Sequence, residues 1–92
     1  MSKNKLISLI KAYKYYFKLC NYSSIQFPID RLVMFDRVNL MQHCYYMVLE
    51  MEKFIDKDIE KAHRWLGFIQ GCFWSIGKSS IEELRQLNMS YE

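Results

Sequence analysis

Gly67, Gly71 and Ser75 stand four residues apart inside the segment His63 to Gly77, whose apolar residues keep a helical period. Ile59, Ala62, Leu66, Ile69, Phe73 and Ile76 recur in alternating steps of three and four, the repeat of one helix face. A glycine inside a helix costs about 1 kcal/mol relative to alanine. Two of them one turn apart therefore call for a compensating contact, and the close approach of another backbone is the expected one. The small-residue stripe reads as running beside the apolar face. The segment is expected to be packed against by helix two of the same chain, by a second copy in an isologous dimer, or by a partner that docks in the groove.

The chain has 92 residues, three glycines and one proline. A length of this order makes one small domain, residues 1–92, and buries about 60–65% of the unfolded surface. So few turn formers imply long helices with few connections. The predicted first helix runs from Lys3 to Cys20, with Leu6, Leu9, Ile10, Tyr13, Tyr16, Phe17 and Cys20 on its apolar face. Asn21 to Phe27 has no helical period and reads as a loop. Pro28 suits a helix start, where its missing N–H costs nothing. The second helix is predicted from Ile29 to Phe54, with two adjacent apolar stripes wide enough for two neighbours. Asp56 is the expected cap of a third helix, Lys57 to Ile76, the alternative being one continuous helix from Ile29 to Ile76. Gly77 can take the left-handed conformation after that helix, and Ser80 with Glu83 forms a capping box for a short last helix, Ile81 to Leu87. The fold class is all-α, a small bundle of three main helices plus a short C-terminal one. Helices one and two pair, and helix three is expected to close the core through its glycine stripe.

Motifs for catalysis are missing. There is no phosphate-binding glycine loop, nucleophile elbow or zinc-protease signature. Asp56, Asp58 and Glu60 have the alternation of a calcium loop but lack its glycine and its final glutamate. Glu50, Glu52, Asp56 and Glu60 do not make the paired carboxylates of the helical pyrophosphohydrolases. His43 and His63 lie on different helices with no third partner, and read as surface or interfacial side chains. Cys20, Cys44 and Cys72 are scattered within apolar patterns and read as reduced, buried thiols. No metal, cofactor or enzymatic activity is expected.

Net charge is +3, too mild to demand an anionic partner. No apolar run approaches the ~18 residues of a membrane span. The stretch after Met1 to Lys5 is too short for a signal peptide before Lys11 interrupts it, so a cytoplasmic location is expected. Two surfaces remain. Lys11, Lys14 and Lys18 share one side of the first helix with Tyr15 between them, a layout that could follow phosphates while an aromatic stacks on a base. Trp65, Phe68 and Trp74 flank the small-residue stripe and cannot all point into one thin core, and His63 and Arg64 add charge at the rim. Exposed tryptophan is a typical interface anchor.

Arg64-Trp65-Leu66-Gly67-Phe68-Ile69-Gln70-Gly71, then Trp74, Gly77, Ser80-Ile81-Glu82-Glu83-Leu84-Arg85 and Asn88, form a recognisable series. It resembles the C-terminal part of small proteins encoded by tailed bacteriophages, in which a helix with an RWLGFxQG-like core is followed by a glycine, a turn and an acidic helix. The resemblance covers about the last third of the chain and carries over no functional residue. It implies a phage origin; small phage proteins of this kind are often accessory factors that bind and redirect or inhibit a host protein, defence systems such as CRISPR included, and that role, in the cytoplasm of an infected bacterium, is the expected one. The contact set expected on that reading is His63, Arg64, Trp65, Phe68 and Trp74, with Gly67, Gly71 and Ser75 serving helix packing or a homodimer. The alternative is a nucleic-acid-binding module using Lys11, Lys14, Tyr15 and Lys18.

Overall fold

The computed structural model describes residues 1–27 and 36–90. They form an all-α bundle of three main helices, α1 (Lys3–Leu19), α2 (Arg37–Phe54) and α3 (Ile59–Ser75), followed by a short α4 (Ile81–Ser90).

Each start has a local cause. Ser2 accepts from the Lys5 N–H at 3.2 Å and opens α1. Asp36, in extended backbone, accepts from the Val38 and Asn39 N–H groups and opens α2. Among the described residues α2 therefore begins after Asp36, within the helix predicted from Ile29, because a short carboxylate there takes up the free donors of the first turn. The Pro28 helix start falls outside the described residues.

Helices α2 and α3 are separate. The Phe54 carbonyl accepts from both Lys57 and Asp58 N–H groups at 2.9 Å, which closes a tight turn. Asp58, not Asp56, caps α3 by accepting from the Lys61 N–H at 3.0 Å. Asp56 is still in the turn and reaches Lys3 of α1 as an exposed ion pair. The C-terminal half follows its expected chemistry. Gly77 has φ +77, and Ser80 and Glu83 exchange bonds, the Ser80 hydroxyl accepting from the Glu83 N–H and the Glu83 carboxylate from the Ser80 N–H. The last helix runs three residues beyond its expected end, to Ser90.

The core lies among the three long helices. Leu6, Leu9, Ile10, Tyr13 and Phe17 enter it from α1, Met41, Cys44, Tyr45, Val48 and Met51 from α2, and Ala62, Leu66, Ile69 and Phe73 from α3. Phe73 ties α3 to α1, its ring standing 5.1 Å from Tyr13, 5.4 Å from Tyr16 and 5.9 Å from Phe17 between centroids. Phe17 stacks in turn on Tyr45 of α2 at 5.2 Å. These edge-on and offset pairs add to the burial of large rings. Lys14 of α1 bridges to Glu52 of α2 at 3.0 Å along the rim.

Two further expectations are corrected. The small-residue stripe does not pack helix three against helix two. Gly67, Gly71 and Ser75 are exposed, and a Cβ built at either glycine would meet nothing within 4 Å. Cys20 is exposed, because α1 stops at Leu19 and the chain turns away at Asn21, which takes φ +59. Cys44 and Cys72 are buried, as expected.

We expect Asp58→Ala to destabilise the protein by about 1 kcal/mol and Asp56→Ala by no more than about 0.5 kcal/mol. Urea denaturation of the two variants checks this order.

Candidate docking face on helix α3

Core packing by Ala62, Leu66, Ile69 and Phe73 fixes the rotation of α3 about its own axis, and so decides what it turns outward. Arg64, Gly67, Phe68, Gly71, Trp74 and Ser75 are all exposed. At about 100° per residue, Phe68 falls about 60° to one side of Gly71 and Trp74 about 60° to the other. The glycines form a low floor, and the two aromatics stand beside it as walls. Phe68 keeps 51% of its surface in solvent and Trp74 54%. Among the described residues the Arg64 guanidinium makes no ion pair or hydrogen bond, and His63 sits half-buried at the edge.

Trp65 is set apart from this face. Its ring meets Phe54 of α2 edge-on at 5.0 Å, and the Lys61 ammonium lies 4.6 Å from the Phe54 ring centre and 5.1 Å from that of Trp65. This side chain helps hold α3 to α2. Along the other flank, Gln70 and Asn88 exchange amide hydrogen bonds at 2.7 and 3.2 Å, which fastens α4 beside α3. Both residues belong to the series from Arg64 to Asn88, so that series encodes the α3–α4 junction as well as the exposed face.

The lysine helix is divided. Lys14 is engaged with Glu52, while Lys11, Tyr15 and Lys18 stay exposed on α1, Tyr15 at 64%. His43 is a structural clamp. Its Nδ1 accepts from the Phe27 N–H at 3.2 Å, and its ring contacts Phe27 and Tyr46. Burial holds its pKa below the ordinary 6.5, so the folded chain takes up its proton less readily than the unfolded one. The stability it adds is present above pH 6.5 and declines as pH falls below it.

Among the described residues, no three His, Cys, Asp or Glu side chains are placed to hold a metal ion. The neighbouring Cys72 sulfur, and then burial, push the Cys44 thiol up, which keeps it neutral. An open cleft of about 380 Å³ lies between α1, the end of α3 and α4. Its lining among the described residues is Ala12, Tyr13, Tyr16, Phe73, Lys78, Ser79 and Leu87, with neither a carboxylate nor a histidine among them. No described helix is long and apolar enough to cross a membrane. No known protein family, curated protein or solved structure matches the chain.

The exposed glycines carry a helix-propensity cost that no contact among the described residues offsets. We expect Gly67→Ala and Gly71→Ala each to raise stability by about 0.5–1 kcal/mol, read from the denaturation midpoint. A loss of stability would place an unseen close contact at that site.

Proposed function

We propose that this protein acts without catalysis, by docking the outer face of α3 onto another protein and covering a surface which that protein needs. The observation that carries this reading is the exposure of Phe68 and Trp74 on either side of the glycine floor. A folded chain that leaves half of two large rings in water leaves favourable burial unused. Covering them would stabilise a complex by on the order of 2–3 kcal/mol per ring, the size of an interface anchor. The flat floor suits a helix or strand edge, and Arg64 supplies a cation at the margin. Trp65 belongs to the support behind this face.

The phage-like series at Arg64 to Gly71 favours a bacterial host protein as the target, and a host defence component among the candidates. The site of action on this reading is the cytoplasm of an infected cell. The nucleic-acid reading through Lys11, Tyr15 and Lys18 is weaker, because Lys14 is already paired with Glu52. It requires an affinity that falls steeply with salt.

The test is affinity capture from a lysate of a bacterial host, with the wild type beside Phe68→Ala and Trp74→Ala. Both variants are expected to fold, and each to weaken capture of the same host protein about tenfold or more. Equal retention by all three chains, or capture of nothing, overturns the proposal.

A further inference from the structure

We propose that the outer face of α3 also accepts a second copy of this chain, with the two α3 helices antiparallel across a twofold axis. This rests on the reading of that face as a protein-docking surface, and it names how the face is covered when no target is bound.

The glycines alone mark only a low place on the helix. The assignment comes from what stands around them. A twofold contact must be self-complementary, so that whatever one residue meets must meet it in return. When Gly67 of one copy opposes Gly71 of the other, Gly71 opposes Gly67 by the same symmetry. In that register Arg64 comes level with Trp74 of the second copy, and His63 comes level with its Ser75. The unpaired Arg64 guanidinium then reaches an exposed indole, the ring type that attracts a cation most strongly. Trp74 lies on the same side of the contact plane as His63 of the second copy. The two Phe68 rings fall on the opposite side and meet near the axis. Arg64, His63, Phe68 and Trp74 thus each acquire a neighbour across the contact.

The parallel arrangement fails by the same reasoning. It would set Arg64 against Arg64 and Glu60 against Glu60, and would align the two helix dipoles. Glycines at the contact let the antiparallel backbones approach closely, toward the short end of the 8–10 Å range of packed helices. One helix face covers less than the ~800 Å² per partner of a typical stable complex. The pair is therefore weak, with dissociation in the micromolar range, and a target that uses the same face displaces the second copy.

The experiment is sedimentation velocity from about 10 µM to about 1 mM. The wild type is expected to shift from monomer to dimer, and folded Gly71→Leu and Trp74→Ala to stay monomeric throughout. Register is read in a Cys20→Ser background by mixing Gly67→Cys with Gly71→Cys chains under a mild thiol oxidant. Space at both positions allows these substitutions without disturbing the monomer. Mixed 67–71 cross-links several-fold above either self-cross-link support the antiparallel pair. A wild type that stays monomeric at every concentration overturns self-pairing, as do self-cross-links that dominate. If host capture still depends on Trp74 in that case, the docking reading survives alone. A dimer indifferent to both Gly71→Leu and Trp74→Ala places the contact elsewhere and overturns the proposal.

Discussion

The Phe73 ring is the point on which the rest of the structure depends. It is buried at 5% exposure against Tyr13, Tyr16 and Phe17, and through Phe17 it is connected to Tyr45 on the second helix. A helix that inserts Phe73 at this position, with Ile69, Leu66 and Ala62 aligned behind it, has no remaining freedom of rotation. Its glycines and Trp74 must then face water. The exposed face is thus a consequence of how the core is filled, and the same packing that stabilises the bundle presents the surface proposed to act.

Much of this fold can be read along the chain, because its signals are local. The period of α1, the left-handed Gly77 and the reciprocal bonds of Ser80 and Glu83 each involve residues within one or two turns. Where the reading went astray, a weaker cue had a local rival. Asp36 and Asp58 are short carboxylates placed three residues before the N–H groups they accept from, a capping cue within apparently continuous helical patterns. Asp56 carries the same cue two residues early, and its ion pair with Lys3 is a long-range event that no local pattern contains.

The glycine stripe teaches a different lesson. Two glycines one turn apart suggest close packing, and they were expected beside the apolar face. At about 100° per residue, however, they lie nearly opposite Phe73 and Ile69. The helical period itself excludes them from the core once that angle is followed. Trp65 and Trp74 show the same angle at work. They look alike in the sequence, yet one is held against Phe54 while the other stands in solvent. Nine residues at about 100° each set them half a turn apart, and α2 covers the side on which Trp65 stands.

The neighbours Phe73 and Trp74 therefore test the account most directly. The measurement is the unfolding free energy of Phe73→Ala and of Trp74→Ala by chemical denaturation. The account predicts a loss of about 3–5 kcal/mol for the first and a change within about 0.5 kcal/mol for the second. Equal losses would make Trp74 part of the core and would contradict the outward face of α3.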